Sequence, residues 1–298
     1  MNTPLHLNRF LACGIGSLPY SSPQEACNNV IKYLGEDIPF WPQLPKRDFK
    51  ENMYVQYSQG LPGAVINQEK QTIHIDPQSP DYAIKVEALY EHYLAEDLDY
   101  FAISRDYAAG FYEFVHRPSS IVPRSYIKGH TIGPISFGLT VTDQDKKASI
   151  YNPEFRDCMV KALAMKARWQ ARELRRTTDD RRQIIIFIDE PYLVSIGSSF
   201  FNIKTEDVVG MLDEVIAAIH QEGAFAGIHC CGNTDWSIVL KTAIDILNYD
   251  AYNYPDSIFL YRQDLDGFLK RGGIISHRLL KSKKAATFQN LTLRLPAD

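Results

Sequence analysis

Residues 184–191 read Ile-Ile-Ile-Phe-Ile-Asp-Glu-Pro, an uninterrupted apolar run that stops at two acids and a proline. Consecutive β-branched residues without polar alternation are typical of a strand buried on both faces, as in parallel sheets covered by helices. Pro191 ends the run because it fixes φ and lacks a backbone N–H. The stretch predicts a parallel α/β fold with polar side chains at the end of this strand.

Strand-like and helix-like segments alternate on both sides of this run. Helices are predicted over about 153–177 and 205–221, and alternation of this kind indicates an α/β fold with a parallel sheet. Polar residues follow the apolar runs, which in a (β/α)8 TIM barrel is the face that carries the active site. We therefore expect one barrel over residues 1–276. Seven of its strands are predicted, near Ala12, Phe40, Ile127, Ile186, Ala226, Leu247 and Ile274.

The last part of the chain, residues 277–298, does not fit the repeating pattern. It carries five Lys or Arg residues against one acid, and it is too short for a normal crossover helix followed by a strand. We expect an atypical basic tail and an atypical or truncated eighth barrel unit. A full inner strand over Leu291–Leu295 would count against this expectation.

Composition excludes several classes of protein. The net charge of −4 over 298 residues gives no reason to expect nucleic acid or an anionic membrane as a partner. The longest apolar runs are far too short to span a bilayer, and the first residues lack the pattern of a signal peptide. Five cysteines, an odd number, make a disulfide framework unlikely. These features predict a cytoplasmic protein with reduced thiols.

A second stretch, residues 227–236, reads Gly-Ile-His-Cys-Cys-Gly-Asn-Thr-Asp-Trp. On a strand, His229 and Cys231 would project from one face and Cys230 from the other. Imidazole and thiolate are the ligands that zinc favours, so the pair predicts a metal site. Asp250, after the next apolar run, is a candidate third ligand. The alternatives are an inert buried cysteine and, for Asp250, a turn or cap acid.

The acids at the end of the first stretch are the next candidates. Of Asp189 and Glu190, one should face the barrel interior and the other a helix or solvent. A carboxylate there can bind an ammonium group or act as a base, and the alternative for either is a helix cap or an ion pair. Ser17, in a glycine turn after the first strand, could hold a substrate carboxylate. His130 could face the barrel mouth or be a core histidine.

Three motifs occur in a familiar order: Gly-Ile-Gly-Ser-Leu-Pro at 14–19, Ile-Asp-Glu-Pro at 188–191, and His-Cys-Cys-Gly-Asn-Thr at 229–234. They resemble the superfamily of cobalamin-independent methionine synthases and uroporphyrinogen decarboxylases, which also holds zinc methyltransferases that move a methyl group from a corrinoid to coenzyme M. The resemblance covers roughly residues 10–276, and the chain resembles a single-barrel member.

The resemblance implies a barrel and a Zn²⁺ ion that activates a thiol. His229 and Cys231 would be ligands, Asp189 would contact the amino group of homocysteine, and Ser17 would lie near its carboxylate. The synthases have a second acid in a Met-Val-Glu-Tyr type run, and here Gln56 stands at the matching place, which removes one charge facing the ammonium. The family's last cysteine ligand also has no counterpart, since no cysteine follows Cys231.

These features predict a zinc-dependent methyltransferase acting on a small thiol, similar to homocysteine or coenzyme M. No Asp-x-His-x-x-Gly corrinoid motif is present, so a corrinoid donor would arrive on a partner protein. One alternative is a decarboxylase similar to the uroporphyrinogen enzymes, but that chemistry uses arginines in the N-terminal glycine loop, and none is present at 14–19. The other is a degenerate, non-catalytic barrel with an incomplete zinc site.

Overall fold

The computed structural model describes residues 11–117, 126–176, 182–198, 201–277 and 288–291. It is a mixed α/β structure. The strands are β1 (Leu11–Gly14), β2 (Ala64–Asn67), β3 (Thr72–Ile75), β4 (Tyr126–Ile132), β5 (Thr142–Asp143), β6 (Gln183–Asp189), β7 (Phe225–Cys230), β8 (Ile246–Tyr249), β9 (Ile274–His277) and β10 (Phe288–Leu291). The helices are α1 (Pro23–Leu34), α2 (Met53–Ser58), α3 (Tyr82–Leu94), α4 (Ala109–Val115), α5 (Pro134–Thr140), α6 (Pro153–Arg176), α7 (Thr205–Gln221), α8 (Trp236–Lys241) and α9 (Arg262–Lys270).

The main sheet has the strand order β1-β10-β9-β8-β7-β6-β4. Strands β4, β6, β7, β8 and β9 are parallel to one another, as the apolar runs predict. In this register Asp189 on β6 lies beside His229 on β7, and His229 lies beside Asn248 on β8. The carboxyl ends of these strands therefore meet at one edge of the sheet.

The segment after α1 pairs with the sheet through single bridges instead of a regular strand. Ile38 bridges Cys13 on β1, and Phe40 bridges Lys128 on β4, both in parallel orientation. The amide N–H of Ile38 donates to the Ala12 carbonyl at 3.1 Å. The prolines at 39 and 42 have no N–H to donate, which accounts for isolated bridges where the sequence predicts a strand near Phe40.

The tail after residue 277 contains the strand β10. β10 pairs antiparallel with β1 along its whole length, from Leu11 opposite Leu291 to Gly14 opposite Phe288. It also pairs antiparallel with β9, where Ser276 lies opposite Leu291. Only Leu291 of the proposed segment Leu291–Leu295 falls within the described residues. The final unit is atypical in that its strand runs opposite to β9.

Local sequence explains most of the peripheral elements. Ser22 caps α1 by accepting a hydrogen bond from the Glu25 amide at 3.2 Å, as its position before Pro23 predicts. Strands β2 and β3 form a hairpin, and β5 extends it to a small three-stranded sheet. The observed α7 begins and ends where the sequence predicts, and α6 extends from Pro153 to Arg176 within the described residues.

Two clusters of buried apolar side chains pack on opposite faces of the main sheet. The smaller cluster includes Leu11, Ile185 and Ile274, and the much larger one packs the other face against α6 and α7. No helix in the described part of the chain is both long and apolar enough to cross a lipid bilayer.

Candidate functional site

A small cavity lies at the carboxyl ends of the parallel strands. Its volume is about 10 Å³, close to the smallest space that admits one water molecule. The polar and apolar side chains around it come from six strands and the turn after β1. The lining residues are Cys13, Gly14, Ile15, Lys128, Phe187, Asp189, His229, Asn248 and Ser276. We call this the strand-end cavity.

Asp189 is the acid that faces the strand-end cavity. It is buried, and its Oδ1 atom has no hydrogen-bond partner. Burial raises the pKa of Asp189 to about 7, and the nearby Lys128 ammonium partly opposes this rise. An oxygen atom that is buried without a partner costs free energy, so a ligand that donates a hydrogen bond would be favoured at this point.

Lys128 lies in the middle of β4 and is buried at the side of the same cavity. Its ammonium group donates a hydrogen bond to the Ile15 carbonyl. The faces of Phe187 and Phe40 lie 5.0 and 5.6 Å from Nζ, within the range of cation–π attraction. Burial lowers the pKa of Lys128, while Cys13 and Asp189 oppose this fall. Lys128 therefore balances the acid across the cavity.

His229 is held by a chain of polar side chains across three strands. Its Nδ1 atom lies 2.6 Å from Oδ1 of Asn248, and Nδ2 of Asn248 donates to Oγ of Ser276. An amide oxygen can only accept, so with Oδ1 of Asn248 facing the ring Nδ1 donates this hydrogen bond, and in the neutral imidazole Nε2 is then the nitrogen without a proton. This is the arrangement in which an outer partner fixes the tautomer of a ligating or basic histidine.

Glu190, the second acid, faces away from the cavity and caps a helix. Its carboxylate accepts hydrogen bonds from the backbone amides of Ile135 and Ser136, at 2.9 and 2.7 Å, and from the Ser136 hydroxyl at 2.5 Å. Burial raises the pKa of Glu190 to about 7, against the effect of these donors. The prediction that the two acids face different ways is confirmed, and Glu190 takes the role of a helix cap.

The candidate metal ligands are only partly brought together. Cys230 is buried in the outer cluster, on the face opposite His229, as the alternation predicts. Strand β7 ends at Cys230, and Cys231 is exposed just beyond it. Asp250 is buried as a turn acid: it accepts from the amides of Tyr252 and Asn253, both at 3.2 Å, and from the Asn253 side chain at 2.6 Å. Across the ranges that the structure describes, no group of three or more His, Cys, Asp or Glu residues could hold a metal ion.

Ser17 and Gln56 belong to a separate polar chain. The Ser17 hydroxyl donates to Oε1 of Gln43 at 2.5 Å, and Nε2 of Gln43 donates to Oε1 of Gln56 at 2.8 Å. Nε2 of Gln56 then donates to the Tyr107 carbonyl at 2.5 Å. Of the predicted site residues, Asp189 and His229 thus line the strand-end cavity, Ser17 and Gln56 belong to this polar chain, and Glu190, Cys231 and Asp250 belong to neither.

His130 is a buried core residue beside this turn. Its ring stacks on Trp41, with centroids 3.9 Å apart, and neither ring nitrogen has a hydrogen-bond partner. Burial lowers the pKa of His130 well below its usual range, with Lys128 as the second cause. A Cβ atom at Gly16 would lie 2.8 Å from the ring, so glycine is required where the turn crosses the imidazole.

Three polar residues of the cavity, Lys128, Asn248 and Ser276, were not predicted from the sequence. The sequence does mark them, because a polar side chain inside a short apolar strand is buried and needs a polar partner or a cavity beside it. Lys128 and His130 share one face of β4, and Asn248 interrupts the apolar run of β8. The pairing register that sets these residues beside Asp189 and His229 is information that only the structure supplies.

Comparison with known proteins adds no relative to this description. No protein-family model matches the chain, and a search of curated proteins finds no match. The geometry of the strand-end cavity and the sequence motifs around it are therefore the features that point to a function.

Proposed function

We propose that this chain is a single-barrel methyltransferase that moves a methyl group to a small thiol of the homocysteine or coenzyme M type. The observation that carries the proposal is the pair Asp189 and His229. They lie side by side on β6 and β7 and line one cavity, and Cys231 follows two residues after His229. No comparable observation favours the decarboxylase function, and the observation on the side of a non-catalytic barrel is the incomplete set of zinc donors among the described residues.

The proposed barrel closes through eight chain segments. Its support is the pairing of β1 with the 38–40 segment, of that segment with β4, and of β10 with both β9 and β1. In such a barrel the strand ends form the face on which active sites are built. The reversed direction of β10 would make this a variant of the (β/α)8 pattern.

Asp189 would bind the ammonium group of an amino-thiol. Its partnerless Oδ1 would gain a charge-assisted hydrogen bond, which is stronger than a neutral one. The cavity is too small for a whole amino acid, so the acceptor would lie above it, against the strand ends. Holding the thiol and the methyl donor together there would lower the entropic part of the barrier.

His229 would act on the thiol itself. A thiol attacks as its thiolate, and the Asn248 contact keeps the lone pair on Nε2 of His229. That nitrogen could accept the S–H proton while sulfur attacks the methyl carbon and the donor leaves with the bonding electron pair. A corrinoid donor would have to be carried by a partner protein.

Zinc is the cofactor that the resemblance implies, and bound zinc would hold the thiol as a thiolate. The described residues offer His229 and Cys231 as donors of the type that zinc binds, but no group of three or more His, Cys, Asp or Glu residues among them could hold a metal ion. Asp250 is engaged by its own turn. The described donor set does not complete a zinc site. Zinc bound through Nε2 of His229 would take the place of its role as a base, and the metal content of the protein decides between the two.

The first experiment measures methyl transfer. Purified protein is incubated with L-homocysteine or coenzyme M and with methylcobalamin or methyltetrahydrofolate, and the methylated thiol is quantified by mass spectrometry. Asp189→Asn should lower kcat/KM for homocysteine about 100-fold, because a charged hydrogen bond is lost. The same change should leave coenzyme M, which has no ammonium group, nearly unaffected. Equal losses for both thiols would contradict the role of Asp189.

The second experiment measures metal content in protein never exposed to chelator. About one equivalent of zinc is expected if His229 and Cys231 are ligands, and Cys231→Ser should reduce it by at least about tenfold. Cys230→Ala, on the opposite face of β7, is the matched control and should retain the metal. Zinc below about a tenth of an equivalent in the unaltered protein would exclude a zinc enzyme.

A further inference from the structure

The hydrogen bonds at the turn after β1 form a chain in which the donor-to-acceptor direction is fixed from one end. It runs from Ser17 through Gln43 and Gln56 to the backbone carbonyl of Tyr107. Gln43 and Gln56 are only 3% and 0% exposed. A buried amide group that lost its partner would cost free energy, so each of these side chains is held in one orientation.

A backbone carbonyl can only accept hydrogen bonds, so the group of Gln56 that faces Tyr107 must be its NH₂ group. The Oε1 atom of Gln56 then faces Gln43 and requires a donor, which is the NH₂ group of Gln43. The remaining oxygen of Gln43 faces Ser17 and requires a donor in turn. The ambiguity of amide orientation is thereby removed by the Tyr107 carbonyl.

The consequence falls on Ser17 at the exposed end of the chain. A serine hydroxyl has one proton and two lone pairs, and here the proton is given to Oε1 of Gln43. A carboxylate also has only lone pairs to offer, so it gains nothing from this hydroxyl. The oxygen of Ser17 is suited instead to a ligand group that donates an N–H or O–H bond.

We propose that Ser17 binds the ammonium end of the acceptor thiol, with its hydroxyl oxygen as the hydrogen-bond acceptor. The inference rests on the proposed function, and it reverses the orientation that the family resemblance implies, in which Ser17 lies near the carboxylate. Gln56 is the residue that sets this direction. An ionised glutamate at the same place could not donate to the Tyr107 carbonyl, and the chain would have no fixed end.

A binding experiment with three thiols tests the orientation. L-Homocysteine carries both charged groups, 3-aminopropane-1-thiol lacks the carboxylate, and 4-sulfanylbutanoate lacks the ammonium. Ser17→Ala should weaken binding of the first two about tenfold, the effect of one hydrogen bond to a charged group, and leave the third unchanged. The backbone amide of residue 17 is kept, so only the hydroxyl is tested. Ser21→Ala, an exposed serine on the same turn, is the control and should bind all three as the unaltered protein does.

The reverse pattern, with 4-sulfanylbutanoate weakened and 3-aminopropane-1-thiol unchanged, would overturn the proposal. Failure of the unaltered protein to bind any of the three at millimolar concentration would refute the proposed function instead. Neutron diffraction of the deuterated protein without ligand then still decides the direction of the hydrogen-bond chain on which the inference is built. A deuteron on Oγ of Ser17 directed at Gln43 supports it, and an ND₂ group of Gln43 directed at Ser17 refutes it.

Discussion

Two adjacent carboxylates, Asp189 and Glu190, take different roles because a strand end turns consecutive side chains to opposite faces. Asp189 faces the strand-end cavity with a partnerless oxygen. Glu190 faces α5 and meets three donors. The same chemical group is thus available to a ligand at one position and fully engaged at the next, and only Asp189 belongs to the candidate site.

His229 gives the prediction that belongs to the scale of single residues. Its tautomer depends on Asn248, whose oxygen accepts from Nδ1 at 2.6 Å. We expect Asn248→Leu to release this constraint, so that the proton distributes between Nδ1 and Nε2. Ring ¹⁵N chemical shifts of labelled His229 in heteronuclear NMR spectra measure the change, because protonated and bare nitrogens resonate far apart.

The control for this measurement is His220, whose Nε2 atom contacts Asp245 at 2.8 Å, away from the strand-end cavity. Its ring signals should be the same in the two proteins. Unaltered protein in which Nε2 of His229 already carries the proton would contradict the assigned orientation of Asn248, and with it the basic role of Nε2.

At the scale of elements, the sequence predicted the strands and helices whose residue pattern is decided within the element itself. The apolar runs at β6 and β7 indicate burial on both faces. The helix at 205–221 has acids in its first turn, Glu206 and Asp207, and a basic residue in its last, His220. The turn acids Asp189 and Glu190 were correctly expected at the end of β6. In each case the deciding physics is local, because side-chain periodicity and turn residues lie within a few positions.

The elements that were not predicted depend on distant partners. β10 follows a basic segment and owes its structure to the free edges of β1 and β9. The 38–40 segment pairs through bridges because its prolines interrupt a ladder. The directions of the Gln43 and Gln56 amides likewise come from a carbonyl 51 residues along the chain from Gln56. Pairing between segments that are far apart in the sequence cannot be predicted from the composition of either segment alone.

Strand β10 is the subject of the prediction at this scale. Successive N–H groups of a strand point to opposite sides, so one of Gln289 and Asn290 donates toward β1 and the other toward β9. Proline at either position removes a ladder bond on its own side. We expect Gln289→Pro and Asn290→Pro to accelerate hydrogen exchange at one neighbouring strand each, β1 in one variant and β9 in the other.

Alanine at the same two positions keeps the N–H group and is the matched control, so exchange in those variants should stay close to that of the unaltered protein. Unchanged protection of both β1 and β9 in both proline variants would show that β10 does not pair there in solution. The proposed closure of the barrel would then lose its support between β9 and β1.

At the scale of the whole molecule, several ionisable side chains are buried in the described part of the chain, among them Glu51, Lys128, Lys166, Asp189 and Glu190. Glu51 is paired with Arg47, Lys128 balances Asp189, and Glu190 caps a helix. Burying a charge is costly unless partners replace its water. Most of these groups therefore serve either the candidate site or the turns around it, and their cost is offset by specific contacts.

Lys166 on α6 is the exception, and it gives the last prediction. Its side chain is 2% exposed, and its contact with the Phe101 carbonyl is long, at 3.5 Å. Burial lowers the pKa of Lys166 to about 7 from an ordinary value of 10.5. The folded protein then binds this proton less tightly than the unfolded chain does. Folding stability should therefore rise as pH increases from about 7 toward 10, by up to about 1.4 kcal/mol per pH unit from this group.

Lys166→Met removes that proton from both states. We expect the variant to be more stable than the unaltered protein at pH 7 and below, because the cost of burying an ammonium group disappears, and the difference should shrink steadily toward pH 10. Urea unfolding at pH 6, 7, 8 and 9 measures it as the gap between two free-energy curves. Lys270→Met, on the exposed end of α9, is the control. Its difference in free energy of unfolding from the unaltered protein should be the same at every pH. A gap for Lys166→Met that does not change with pH would mean that Lys166 stays charged in the folded protein throughout this range.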